Sequence, residues 1–298
     1  MPSVLMSDPI PALQSLGYTD REAAFLYLVA VHSGYFLRRQ FDYFIDRNKG
    51  SIVTNFLKKA SAAGHIEVFD YKQGWRVYHL CSRSIYRLSG DPESQLRRRK
   101  GDGQVRARLM ALDYVLENES DHYLESEADR VRFFEHVRTI SPRLFTDNYG
   151  RLQPLLSAFP IALADRERPT LSLVRFAFID EGLLSIGKFV RFLGEAEALL
   201  RAIGNFEVIY VALSDFSFHA ARDAFRNRFS HASPRSARLF EDLVHPAAIQ
   251  HRVPLQAQFT TLHFHYGYPT ILRSEARGSG RVRIAECAES SSDEPSTT

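Results

Sequence analysis

The sequence predicts a mixed α/β (α+β) protein with a small N-terminal unit and a larger C-terminal unit. Two patterns of apolar residues support this. In the first ninety residues, segments with helical spacing are followed by a pair of β-type runs, and further on apolar β-type runs alternate with segments of helical spacing. The length of 298 residues fits two domains. With 45% hydrophobic residues, including 22 Phe and 13 Tyr, the chain can form cores, which excludes a disordered protein.

The N-terminal unit, residues 16–90, begins with three predicted helices. Thr19 followed by Glu22 forms a capping-box pattern, so the first helix begins at the residue after Thr19. A short second helix is expected from about Leu37 to Ile45. Ser51 can cap a third helix. The apolar spacing of that helix predicts one buried face, formed by Ile52, Val53, Phe56, Leu57 and Ala60.

Two β-type runs complete this unit. The runs His65–Tyr71 and Trp75–Ser82 are separated by the short turn at 72–74. Three helices followed by a hairpin is the order of a winged helix-turn-helix. In that module the third helix lies in the major groove of DNA, and the hairpin, or wing, contacts the flanking backbone. The sequence therefore predicts a winged helix-turn-helix domain over residues 16–90.

The charges are divided unevenly along the chain. The net charge is only +3, from 38 basic and 35 acidic residues. Residues 1–110 contain 17 basic and 10 acidic residues, whereas residues 111–298 contain 21 basic and 25 acidic ones. A basic module joined to an acidic body is typical of a DNA-binding unit attached to another domain. A chance difference between two solvated surfaces is the alternative.

The third helix provides the candidate residues for base contact. Ser51, Thr54 and Asn55 have short polar side chains, and an Asn amide can bond adenine in a bidentate way. Lys58 and Lys59 suit phosphate contacts, which position a protein without specifying sequence. The wing and the second helix add further candidates for backbone contact: Lys72, Gln73, Arg76, Arg38 and Arg39. Because winged helices also dock proteins, a protein-docking role stays open.

Residues 91–120 are expected to form a basic linker and a connecting helix. The run Arg97–Lys100 is flanked by Gly, Asp, Pro and Ser, which indicates an exposed loop that either contacts phosphate or is simply solvated. Apolar residues from about Val105 to Asn118 predict a core helix that joins the two units.

The C-terminal unit, residues 121–274, is expected to contain a small mixed sheet with helices. A Gly-, Ser- and acid-rich tail at 275–298 is expected to be disordered. The predicted elements are a helix at Ala128–Ile140, strands at Phe159–Ala164 and Leu171–Ile179, a helix at Phe189–Ile203, a strand at Phe206–Leu213, a helix at Phe218–Phe229 and an edge strand at Leu262–Tyr266.

Several segments carry a resemblance to a known family. They are LGYTDREAAFLYLVAVHSGYFLRRQF (16–41), SIVTNFLKKASAAGHI (51–66), VYHLCSRSIYRLSG (77–90) and ARLMALDYVLE (107–117). Over about residues 16–230, the chain resembles the replication-relaxation family of plasmid and conjugative-element proteins, which includes MobC-type mobilisation accessory proteins. The resemblance implies a winged helix-turn-helix followed by a restriction-endonuclease-like domain. It also implies DNA binding in plasmid replication, relaxation or mobilisation. In the protein-docking alternative, the partner of the winged helix is a relaxase or replication protein.

The residues needed for nuclease catalysis are missing from the expected strands. An active enzyme of this topology needs an acidic residue on one strand and an acidic-x-Lys triplet on the next, to hold Mg²⁺ and support the attacking water. Here Ile161 follows Pro160, and the run 173–178 has no carboxylate. We therefore predict a degenerate domain with no catalytic residue, metal or cofactor. The alternative is a nuclease with a relocated site formed by Asp165, Asp180 and Glu181.

The leading functional hypothesis is a cytoplasmic accessory or regulatory protein that binds double-stranded DNA of a plasmid or mobile element. Transcriptional control of such an element is compatible with the same patterns.

Cys81 and Cys287 lie too far apart in sequence to suggest a disulfide framework, which favours a reducing compartment. No apolar run reaches the ~18 residues of a membrane span, so no membrane association is expected. The patterns leave homodimer formation open.

Overall fold

The computed structural model describes residues 9–45, 51–71, 74–147, 151–182, 186–229 and 256–264. These residues form a mixed α/β structure with a three-stranded and a five-stranded sheet, which confirms the predicted fold class. Among the described helices, none has both the length and the apolar character that crossing a membrane would require. The expected tail at 275–298 lies outside the described residues.

The N-terminal unit contains the elements up to residue 88. They are α1 (Pro9–Gln14), α2 (Asp20–His32), β1 (Tyr35–Leu37), α3 (Arg38–Phe44), α4 (Ser51–Ala62), β2 (Ile66–Asp70), β3 (Arg76–Leu80) and α5 (Arg83–Leu88). The capping box at the start of α2 is present: the Thr19 hydroxyl accepts the Glu22 backbone N–H, and the Glu22 carboxylate accepts the Thr19 backbone N–H. The second and third helices form close to their predicted bounds.

Several elements of this unit are not predicted by the sequence patterns. Strand β1 pairs antiparallel with β3 and gives the sheet order β1-β3-β2. It has only three residues, all buried, so it lacks the alternation that identifies a strand in a sequence. Leu13 of α1 and Ile85 of α5 are fully buried in the same core as Phe25 of α2. The unit therefore includes residues before position 16.

Helix α6 (Asp102–Glu117) lies between the two sheets and packs against both. It shares one buried cluster with Tyr35 and Val77 of the small sheet and with Ile179 and Val211 of the large sheet. The helix is buried on most of its circumference, as expected for a core helix. It joins the two units through a common apolar interface.

The C-terminal unit is built on the five-stranded sheet, whose strand order is β4-β5-β6-β7-β8. Strand β5 pairs antiparallel with both β4 and β6, whereas β7 pairs parallel with both β6 and β8. The elements are β4 (His122–Tyr123), α7 (Glu127–Arg132), α8 (Pro154–Ala158), β5 (Ile161–Leu163), β6 (Val174–Asp180), α9 (Gly187–Ile203), β7 (Asn205–Ala212), α10 (Phe218–Phe229) and β8 (Gln256–His263).

The second core of the protein lies between this sheet and helices α9 and α10. The buried run predicted as a central strand is β7, and the predicted helix at Phe218–Phe229 has those bounds. Two segments differ from expectation. The helix predicted from residue 128 to 140 is the short α7 followed by one π-helical turn, Phe133–Val137. Of the edge strand predicted at 262–266, Leu262 and His263 form the end of the longer β8, and residues 265 and 266 lie outside the described residues.

Candidate nucleic-acid interface

Helix α4 is fixed to the rest of the N-terminal unit by an apolar face. Val53, Phe56, Leu57 and Ala60 are buried, with the spacing that places them on one side of a helix. The ring of Phe56 packs against Phe41 of α3, with 4.3 Å between the ring centroids. This packing determines which side of α4 faces the solvent.

The opposite side of α4 presents polar residues. Ser51, Asn55 and Lys58 are exposed, and Thr54 beside them is half-buried. Residues 51, 55 and 58 follow helical spacing over about 10 Å of helix length. No ion-pair partner of the Lys58 ammonium is found among the described residues. We call Ser51, Thr54, Asn55 and Lys58 the polar face of α4.

Arg38 is the basic residue of α3 that lies closest to this face. Its guanidinium Nη2 is 3.4 Å from the Thr54 hydroxyl oxygen. It also lies 3.8 Å from the Asp42 carboxylate, in a pair one helical turn apart. The side chain is 54% exposed, so this ion pair is weak and leaves the guanidinium accessible. The structure thus brings Arg38 to the polar face of α4.

Lys59 differs from its predicted role as a phosphate contact. Its ammonium lies 2.5 Å from the buried Glu22 carboxylate and donates a 3.0 Å hydrogen bond to the Gly17 carbonyl. It also lies over the Tyr18 ring, 4.8 Å from the centroid. Burial, with a smaller contribution from Glu22, raises the pKa of the Tyr18 phenol. Lys59 therefore connects α4 to the start of α2.

Arg39 is also directed to the interior. Its guanidinium donates two hydrogen bonds of 2.7 Å to the two carboxylate oxygens of Asp113 on α6. The Asp113 side chain is almost completely buried, so this bidentate pair is shielded from solvent. Next to it, the Gln40 amide donates to the Leu109 carbonyl of α6 at 2.8 Å. Arg39 and Gln40 therefore attach α3 to the central helix.

The described part of the wing carries one of the predicted basic contacts. Arg76 pairs with Asp70 across the hairpin at 3.3 Å, and both side chains are more than half exposed. An exposed pair of this kind contributes little to stability, so its guanidinium can exchange a carboxylate for a phosphate at small cost. The other two predicted wing residues, Lys72 and Gln73, lie outside the described residues.

The basic run at Arg97–Lys100 lies against the small sheet instead of extending into solvent as an isolated loop. Arg99 donates two hydrogen bonds to the Glu67 carboxylate of β2 and lies over the Phe69 ring, 4.9 Å from its centroid. The Lys100 backbone N–H donates to the Tyr35 hydroxyl at 2.9 Å. The segment therefore covers the sheet, and Arg98 and Arg99 are its exposed basic residues.

One apolar residue of α4 contradicts the predicted burial pattern. Ile52 is 41% exposed, although the sequence pattern assigns it to the buried face. A turn of 100° per residue places Ile52 about 60° from Asn55 and about 80° from the buried Ala60. Helix geometry alone places Ile52 between the two faces, and only its apolar character favours burial.

The larger sheet carries a partly buried ion cluster centred on Arg175 of β6. Arg175 of β6 pairs with Asp121, and it contacts Glu207 of β7 at 3.1 Å. Thr260 of β8 donates to the same Glu207 carboxylate. Burial raises the pKa of Asp121, although the neighbouring Arg175 opposes that shift. The Arg175 guanidinium thus lies between the carboxylate of Asp121, which precedes β4, and that of Glu207 on β7.

The carboxylates of the alternative relocated nuclease site are not brought together. Asp165 follows β5 at the end where Leu163 pairs with Val174, whereas Asp180 is at the other end of β6. Six residues of strand separate these ends by about 20 Å. Asp180 accepts a hydrogen bond from the Tyr210 hydroxyl, and Glu181 pairs with Lys188 at 2.5 Å. Within the described residues, no group of three His, Cys, Asp or Glu side chains could hold a metal.

Comparison of the chain with protein-family models, with curated proteins and with solved structures finds no match.

Proposed function

We propose that this protein binds double-stranded DNA through the polar face of α4, with α4 as the recognition helix of a winged helix-turn-helix. The proposal makes it an accessory or regulatory protein of a plasmid or other mobile element, acting in the cytoplasm in replication, relaxation, mobilisation or transcriptional control. The resemblance to the replication-relaxation family favours this process, and the partner proposed for it is a relaxase or replication protein.

The observation that carries the proposal is the division of α4 into a packed face and a polar face. Recognition helices of this type place their N-terminal residues against base edges in the major groove. In α4 these residues are Ser51, Thr54 and Asn55, which are short enough to approach a base edge. Lys58 follows one turn later, where its ammonium can contact phosphate.

The surroundings of α4 support the same assignment. Arg38 adjoins Thr54 and adds positive charge at the edge of the polar face. The β2–β3 hairpin follows α4 directly, as the wing does in a winged helix, and carries Arg76. Lys72 and Gln73 remain predicted wing contacts. Lys59 and Arg39 are not included, because each is engaged by a buried carboxylate.

The C-terminal unit is proposed to serve docking, dimerisation or additional DNA contact without catalysis. Its expected catalytic strand carries Arg175, and this guanidinium is paired with Asp121 and Glu207. Carboxylates that already neutralise a partly buried guanidinium are poor ligands for Mg²⁺, because binding the ion would leave Arg175 unpaired. The pairing of Arg175 therefore favours a degenerate nuclease-like domain.

The proposal is tested by the salt dependence of binding to a random-sequence duplex. The logarithm of the binding constant falls linearly with the logarithm of the salt concentration, and each phosphate contact adds about 0.9 to the steepness of that line. We expect Lys58→Ala to reduce the slope by about one. The control is Arg191→Ala, which removes the same charge from an exposed position on α9.

Absence of duplex binding at low salt by the folded wild-type protein would overturn the proposal. Equal slopes for the wild type and Lys58→Ala would overturn the assignment of α4 as the contacting helix.

A further inference from the structure

Ile52 is an exposed apolar side chain at the beginning of α4. It is one of six large hydrophobic residues exposed in the described part of the chain, and it is the one that belongs to α4. Leaving such a side chain 41% accessible forgoes part of the free energy that burial would provide. Among the large apolar residues of the helix, Val53, Phe56 and Leu57 are buried in the core of the N-terminal unit and Ile52 is exposed.

Ile52 and Asn55 are neighbours on the helix surface. Residues three apart in an α-helix lie side by side, with about 5–6 Å between their Cβ atoms. Both residues are exposed and both lie in the first half of α4. The N-terminal half of the helix therefore presents an apolar group and an amide next to each other, and α4 has no acidic residue.

This pair has a specific chemical complement in the major groove. The thymine C5-methyl group is the apolar group that base pairs present there, and adenine presents the donor–acceptor pair that an amide bonds in a bidentate way. Cytosine recognition uses an accepting carboxylate, which α4 lacks. Thymine and adenine are therefore the bases that this part of α4 fits.

We propose that α4 recognises A·T base pairs in the major groove, with Ile52 packed on a thymine methyl group and Asn55 bonded to a nearby adenine. This inference rests on the proposed function, since it requires α4 to lie in the groove. It assigns to Ile52 a role in specificity, in addition to the phosphate contacts that fix the position of the helix.

Replacement of thymine by uracil tests the role of Ile52, because it removes the methyl group and leaves the hydrogen-bonding edges unchanged. A random 20-base-pair duplex library is enriched by rounds of binding to the wild-type protein, and the enriched pool is prepared with thymine or with uracil. We expect the wild type to bind the uracil pool about fourfold more weakly for each methyl group contacted, which corresponds to about 0.8 kcal/mol.

The variant Ile52→Ala separates this contact from other effects of uracil. We expect it to bind the two pools with nearly equal affinity. Val190→Ala is the matched control, because Val190 is 40% exposed on α9 and lies in the other unit. It should retain the full preference for thymine.

The outcomes distinguish the inference from the proposed function. If no pool is bound at all, the proposed function fails and the inference fails with it. If duplex is bound without enrichment of any sequence, or if the thymine and uracil pools are bound with equal affinity, the proposed DNA binding is supported and the role of Ile52 is overturned. An equal preference for thymine in the wild type and in Ile52→Ala overturns it as well.

Discussion

Lys58 and Lys59 are adjacent in the sequence but have different surroundings in the structure. Lys58 is exposed on the polar face of α4, whereas Lys59 contacts Glu22 and the Gly17 carbonyl. One step along a helix rotates the side chain by about 100°, which is enough to change its neighbours completely. Residue type indicates a possible phosphate contact, and only the packing of the helix decides between the two lysines.

The difference predicts opposite effects on stability. Lys59→Ala leaves the buried Glu22 carboxylate without its cationic partner, which should lower the free energy of unfolding by about 1–3 kcal/mol. Lys58→Ala should change it by less than about 0.5 kcal/mol. Urea-induced unfolding of the two variants measures both values. Equal losses of stability would contradict the different environments of the two lysines.

At the scale of elements, the amphipathic helices follow from the sequence more directly than the short strands. The capping box at Thr19 and the apolar spacing of α4 predict helices whose starts agree with the structure. In β7, a continuous apolar run between turns predicts a buried central strand. In these cases the local pattern and the tertiary environment favour the same structure.

Other elements depend on partners that are distant in the sequence. Strand β1 exists because it pairs with β3, about forty residues later, and β4 pairs with β5 at a similar distance. The inward orientation of Arg39 depends on Asp113 of α6, seventy-four residues away. No local pattern contains such pairings, so these features could not be predicted from periodicity.

At the scale of the whole molecule, the small net charge is the sum of a basic N-terminal part and an acidic remainder. The two units nevertheless share α6, which packs on both sheets. The Tyr27 hydroxyl of α2 also donates to the Glu125 carboxylate, which follows β4. These contacts favour one cooperative structure over two domains that are joined by a flexible linker.

This arrangement predicts a single unfolding transition. Trp75 is the only tryptophan of the chain and packs, half-buried, against the cluster around α6 in the N-terminal unit. Its fluorescence reports on that unit, whereas far-ultraviolet circular dichroism reports on the helices of both units. We expect the two signals to give the same midpoint in urea. Separate midpoints would mean that the units unfold independently.

The central claim is that DNA contacts the polar face of α4, and lysine footprinting of the unmodified wild-type protein tests it most directly. The rate of chemical acetylation of each lysine is measured by mass spectrometry with and without a saturating random-sequence duplex. We predict strong protection of Lys58 at low salt, loss of that protection at high salt, and an unchanged rate at Lys188 on α9. A Lys58 rate that is the same with and without duplex, or protection confined to Lys188, would contradict the account.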